Sequence, residues 1–210
     1  MAALPHPCLA LIADGFTDDE RADRAVTAVK AGVRWVHLRD HQARPEAFEA
    51  AARDLAVRLR DMASDVTITV NTHLPVAQAL DGGLHLGWRG PSVEEARGEL
   101  GPDALMGYSA HEEVGIAGDR ALDVDYYFFS PVYATDSKPD QPPTGIGALR
   151  SFCRTADPIP TLALGGITPE RVRACREAGA QGVAVLSGIM DAEAPVAATR
   201  AYLRALGELA

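Results

Sequence analysis

The segment TLALGGITPERVRACREAGAQGVAVLSGI, residues 161–189, sets two short apolar runs either side of an amphipathic stretch. Thr161–Leu164 and Gly182–Leu186 have the length and composition of buried strands. Between them, Thr168-Pro169-Glu170 is a helix start, with threonine at the cap and proline in the first turn, and Gly179 ends the helix. Two strands joined by a helix are a parallel crossover, because parallel neighbours need a long connection between them.

The same rhythm extends outward from this unit. Further strands are expected at Leu9–Ala13, Val33–Leu38, Val66–Val70, Gly83–Leu86, Leu105–Gly107 and Tyr126–Phe129. Amphipathic helices are expected over Asp19–Ala31, Pro45–Asp61 and Ala192–Leu209. Eight such units in 210 residues predict an α/β chain folded as one (β/α)8 TIM barrel over residues 1–210. The competing architecture, an open doubly wound sheet, would favour a glycine-rich turn after the first strand. Ala13-Asp14-Gly15-Phe16 is not that turn. One stretch, Tyr133–Gly147, breaks the rhythm with prolines, Lys138 and two glycines. A long loop after a barrel strand is expected to act as a lid.

Composition narrows the function classes. Twenty lysines and arginines against 29 acidic residues give a formal charge of −9, which disfavours nucleic acid and membrane surfaces as partners. The N-terminal run MAALPHPCLALIADGF lacks the basic segment of a signal peptide, and no apolar run is long enough to span a bilayer. Cys8, Cys153 and Cys175 are odd in number and far apart, as expected of reduced thiols in a cytoplasmic protein.

In a barrel, chemistry collects at the C-terminal strand ends. Those ends carry His37-Leu38-Arg39-Asp40-His41, Asn71, His85, Ser109 with His111, Ser130, Thr135 with Lys138, Gly165-Gly166 and Ser187-Gly188. Alternation turns His37 and Arg39 to the same side. Glycines at the last two strand ends let backbone N–H groups approach an anion, so a phosphate site is expected at Gly165, Gly166, Ser187 and Gly188. The alternative for Gly165-Gly166 is a tight turn and nothing more. Lys138 is either a second anion contact or a solvated surface lysine. The histidine spacing matches no compact ligand motif, so no metal site is expected. His111 is either a proton carrier or a brace for its loop. No nucleophile elbow occurs, and no cysteine lies at a strand end.

Taken together and in order, VHLRD, VNTH, GLHLG, GYSAH, SPVYATDSKP, ALGGITPE and GVAVLSGI resemble the thiamine phosphate synthase superfamily. The resemblance implies a (β/α)8 barrel and a phosphorylated thiazole as small-molecule partner. It also implies Arg39, Asn71, Ser109, Ser130, Thr135 and Lys138 as substrate-binding residues. Two branches share the pattern. The synthase branch joins a pyrimidine pyrophosphate to a thiazole phosphate, using Mg²⁺ held by an aspartate after the Asn of strand 3 and another after strand 4. The thiazole tautomerase (TenI-like) branch aromatises a carboxylated thiazole phosphate, with a histidine after strand 5 carrying the proton.

Here Thr72 follows Asn71, and Trp88-Arg89-Gly90 stands where the second aspartate is expected. Magnesium is usually held by one or two carboxylates beside substrate phosphates. The departures therefore favour the isomerase, with His111 as acid and base, Arg39 on the substrate carboxylate and no cofactor. The runner-up is the synthase, a transferase with Mg²⁺. A non-catalytic thiazole-phosphate-binding regulator is the remaining alternative. Oligomeric state is left open, a homo-oligomer included.

Overall fold

The computed structural model describes residues 3–87, 90–111, 122–135, 137 and 141–209. Eight parallel strands close into one barrel in sequence order. They are β1 (Leu9–Asp14), β2 (Trp35–Arg39), β3 (Thr67–Asn71), β4 (Gly83–Leu86), β5 (Met106–Ala110), β6 (Tyr126–Phe129), β7 (Thr161–Leu164) and β8 (Gly182–Val185). The closing pair is β1 with β8, in register Leu9↔Val183 to Leu11↔Val185. Helices cover the outside: α1 (Asp19–Lys30), α2 (Pro45–Met62), α3 (Leu74–Ala79), α4 (Val93–Leu100), α5 (Gly145–Ala156), α6 (Pro169–Glu177), α7 (Ser187–Met190) and α8 (Pro195–Leu206). Among the described residues no helix is long and apolar enough to cross a membrane.

The strands sort their side chains by the period-two rule. Leu9, Leu11, Val36, Leu38, Ile68 and Val70 belong to the layer between strands and helices. Ala10, Ile12, Trp35, Tyr126, Phe128, Leu162 and Ala184 form a second, separate cluster that fills the barrel itself. Trp35 meets Tyr126 edge-on, with centroids 4.7 Å apart and rings at 86°. Space for the Tyr126 ring comes from the neighbouring strand. A Cβ on Gly107 would lie 2.1 Å from the tyrosine Cζ.

Local signals behave as expected with small shifts. Asp18 caps α1 by accepting from the Arg21 amide, and Pro45 opens α2. Thr168 occupies the cap position of α6, but its hydroxyl accepts no backbone N–H. β5 extends to Ala110, three residues past its expected end, so Ser109 lies within the strand. The two ends of the described chain meet where His6 Nε2 lies 2.9 Å from Glu208 Oε2.

Gly107→Ala should destabilise the fold by about 2–3 kcal/mol, because the methyl group must displace a buried aromatic ring from a filled core. Denaturant unfolding measures this. A loss under about 0.5 kcal/mol would show that the interior repacks freely.

Candidate functional site

The floor of the C-terminal mouth is a chain of buried polar groups. Trp35 Nε1 donates to Thr69 Oγ1 at 3.1 Å, and His37 Nδ1 lies 3.1 Å from the same oxygen. His85 Nδ1 is 3.1 Å from the Tyr126 hydroxyl, and its Nε2 is 2.8 Å from Ser109 Oγ. The two imidazoles meet edge-to-face, 5.1 Å apart. Burial, then the neighbouring His85 and the Arg39 charge, hold His37 well below the ordinary histidine range. Burial and Arg39 push His85 down to about 3. Both rings are therefore neutral near pH 7. His85 has both nitrogens committed, so it is a fixed part of the floor.

His111 differs. It is exposed, and its Nδ1 lies 2.6 Å from the Ser130 carbonyl oxygen. A carbonyl only accepts, so Nδ1 carries the proton and Nε2 of the neutral ring keeps its lone pair. That tautomer suits a group that takes and returns a proton.

Arg39 is held from the side. Its Nε donates to Asp14 Oδ1 at 2.8 Å. Arg21 donates from Nε to the Asp14 carbonyl and from NH1 to Asp191, just past α7, and so ties the end of β1 to the loop after β8. Asp40 is committed as well: it accepts from Thr17 Oγ1 at 2.6 Å and from the amides of Gln42 and Ala43. Burial raises its carboxyl, but these bonds outweigh that and leave it below its usual range.

Three cavities with shared walls run outward from Arg39. The innermost, of about 30 Å3, touches Arg39, Ser130, Thr135 and Gly165. The next, of similar size, lies between Gly165-Gly166 and Ser187-Gly188. The outermost, about 560 Å3, opens between Thr135, Gly166, Thr168, Arg171 and Ser187. The Gly165-Gly166 turn is required twice over. Its φ angles are +93° and +61°, and added Cβ atoms would lie 2.7 Å from Pro131 Cα and 2.3 Å from the Ala134 carbonyl. Gly188 packs against Tyr202 of α8, whose hydroxyl donates to the Ile167 carbonyl at 2.8 Å. Tyr202 thus braces the β7 and β8 loops together, and burial pushes its phenol up to about 12.

The cavities gather seven of the sequence-derived candidates: Arg39, Ser130, Thr135, Gly165, Gly166, Ser187 and Gly188. His111 is joined to them through the Ser130 carbonyl. Ser109 belongs to the floor, held by His85, and Asn71 ends β3 opposite His85. Neither lines these cavities. Lys138 lies outside the described residues, as do Trp88 and Arg89. Sequence reasoning missed Ser137, Thr168, Arg171 and Tyr202. Arg171 carried a signal: a cation in the first turn of a helix stands at the positive end of the helix dipole.

A closed β/α barrel with a glycine-walled cleft between its last two strand loops, beside a short extra helix, is the architecture that frequently holds a phosphate group. The chain belongs to the thiamine monophosphate synthase family, whose pattern matches residues 9–189. It is 37% identical over 167 residues to a thiamine-phosphate synthase of Syntrophomonas wolfei, covering 79% of this chain and 78% of that one. It is 36% identical over 183 residues to a thiamine-phosphate synthase of Natronomonas pharaonis, covering 85% and 84%. The fold matches a thiamine phosphate pyrophosphorylase of Pyrococcus furiosus with a TM-score of 0.82, at 24% identity over 95% of each chain. These relatives carry the name of the coupling enzyme, the runner-up of the sequence reading, rather than that of the tautomerase.

The two buried histidines make stability pH-dependent. Unfolded, each takes a proton near pH 6.5; folded, each stays neutral to lower pH. The unfolded state therefore binds more protons below pH 6.5, and stability falls as pH drops. For His85 the slope is about 1.4 kcal/mol per pH unit between about pH 6 and pH 4, and His37 acts in the same direction. Unfolding free energies measured across this range should show a slope smaller by about that amount in His85→Asn. An unchanged slope would mean that His85 is protonated in the folded protein.

Proposed function

We propose that the protein works in thiamine biosynthesis on a thiazole phosphate, and that its reaction is the coupling of that ligand to a pyrimidine pyrophosphate. The observation that carries the ligand assignment is the set of neighbouring cavities, with shared walls, between Arg39, the Gly165-Gly166 turn and the start of α7 at Ser187-Gly188. The phosphate sits against Gly165, Gly166, Ser187 and Gly188. The ring lies inward, toward Ser130, Thr135 and Arg39. Support for the coupling reaction is the 36–37% identity to proteins named thiamine-phosphate synthase over about four-fifths of each chain.

The magnesium that the resemblance implies for this reaction does not fit the residues present. Position 72 is a threonine, in the left-handed region at φ +57°. At the mouth, Asp14 is bound to Arg39, and Asp40 to Thr17 and two amides. Among the described residues no group of three or more histidine, cysteine or acidic side chains is placed to hold a metal ion. The leaving pyrophosphate requires positive charge, and this chain offers Arg39 for it. Asp14 aims the arginine by accepting from Nε, which leaves the outer N–H groups of the guanidinium for the ligand.

The same residues favour a second reading, aromatisation of a carboxylated thiazole phosphate. This reaction needs a proton carrier and no paired carboxylates. The His111 tautomer, set by Ser130, is the specific observation behind it. His111 Nε2 removes a proton from a ring carbon and delivers it to a carbon outside the ring, so that the ring double bonds shift and every ring carbon of the product is trigonal. Arg39 forks onto the carboxylate.

One pair of assays separates the readings. Purified protein with pyrimidine pyrophosphate, thiazole phosphate and Mg²⁺ should form thiamine phosphate at enzymatic rates. Failure there, with turnover of the carboxylated thiazole phosphate, makes the protein a tautomerase. Binding of thiazole phosphate without either turnover makes it a non-catalytic binder.

In the tautomerase assay Arg39→Ala should raise KM more than it lowers kcat, because its carboxylate contact exists before and during the reaction; in the coupling assay it should lower kcat as well, because charge grows on the leaving pyrophosphate. His111→Ala should lower tautomerase kcat by about 10²–10⁴-fold. A folded His111→Ala protein with full tautomerase turnover would reduce His111 to a loop brace.

A further inference from the structure

Arg171 stands at the rim of the outermost cavity, in the first turn of α6. Its NH1 donates to the Gly166 carbonyl at 2.6 Å, and its guanidinium carbon lies 4.3 Å from the centre of the Tyr133 ring. Tyr133 in turn donates its amide to the Gly165 carbonyl. The arginine thus spans both walls of the cleft, the loop after β6 and the loop after β7.

Its charge acts at a distance on Glu170, its neighbour in the same turn, but closes no ion pair. Among the described residues no carboxylate lies within 4 Å of it, whereas Arg39, the other guanidinium on these cavities, is paired with Asp14. A cation at a helix N-terminus also opposes the helix dipole. Glu170 offsets part of this within the same turn, and an anion in the adjoining cavity would offset more. A guanidinium has five N–H donors in a planar fork, and only one is committed to Gly166. The remaining donors border the space that Thr135, Thr168, Ser187 and Gly188 also line.

We propose that Arg171 is the charge-reading residue of the phosphate cleft: it pairs with the dianion of a phosphate monoester and so selects the phosphorylated thiazole over its alcohol. This inference rests on the proposed placement of the phosphate at the β7 and β8 loops. Stacking on Tyr133 restrains the guanidinium at the cavity rim. The glycine turns alone recognise an anion's shape; the arginine adds recognition of its charge.

The test is calorimetric binding of thiazole phosphate and of the matching thiazole alcohol to the wild-type protein, Arg171→Gln and Arg171→Lys. Glutamine can still donate to the Gly166 carbonyl but carries no charge, so it separates bracing from charge reading. Arg171→Gln should bind thiazole phosphate about tenfold more weakly than wild type and bind the alcohol equally well. Arg171→Lys should recover most of the loss, and wild-type affinity for the phosphate should fall as salt is raised. Equal affinity of wild type and Arg171→Gln for the phosphate overturns the assignment of Arg171 while leaving the cleft assignment intact. Failure of wild type to bind the phosphate more tightly than the alcohol overturns both.

Discussion

The ring of Tyr126 occupies the volume that Gly107 leaves empty in the middle of the barrel, and the arrangement of the mouth follows from that contact. A closed eight-stranded sheet must be filled from within. Here the filling is aromatic: Trp35, Tyr126 and Phe128 pack against one another at 4.7–5.9 Å. Such rings bring polar atoms with them, and a buried polar atom without a partner costs stability. The indole of Trp35 finds Thr69, and the phenol of Tyr126 finds His85, which then reaches Ser109. The side chains that floor the site are therefore set by the need to satisfy the core.

Above that floor, a separate set of contacts holds the loops. Arg21 links the end of β1 to the segment after α7. Tyr202 links α8 to the β7 loop under Gly188, and Arg171 links the β7 loop to Tyr133. Each is a long side chain crossing between elements distant in sequence. Together they fix the Gly165-Gly166 turn relative to Ser187-Gly188 at the start of α7.

The strand–helix rhythm made the barrel readable, because a parallel sheet buried on both faces writes its strands as short apolar runs. Seven candidate residues at strand ends converged on the cavities for the same reason: a closed parallel barrel places every strand's C-terminal end on one rim. What stayed hidden depends on contacts across the sequence. Nothing near Tyr202 shows that its hydroxyl reaches Ile167, 35 positions earlier. Nothing near Ser109 shows that His85 holds it. The four-residue helix α7 is too short to leave a periodic pattern. Thr168 looked like a cap by residue type and takes the cap position, yet its hydroxyl accepts no backbone N–H, since residue type does not set the side-chain rotamer.

The brace from Tyr202 bears on how the molecule comes into being. During synthesis the strands emerge in order from β1 to β8, and β8 closes the ring by pairing with β1. The cleft between the β7 and β8 loops still lacks its inner support until α8 has left the ribosome and Tyr202 can reach the Ile167 carbonyl. Closing the barrel and bracing these loops are therefore separate events: β8 completes the ring, and α8, which follows it in the chain, steadies the loops above.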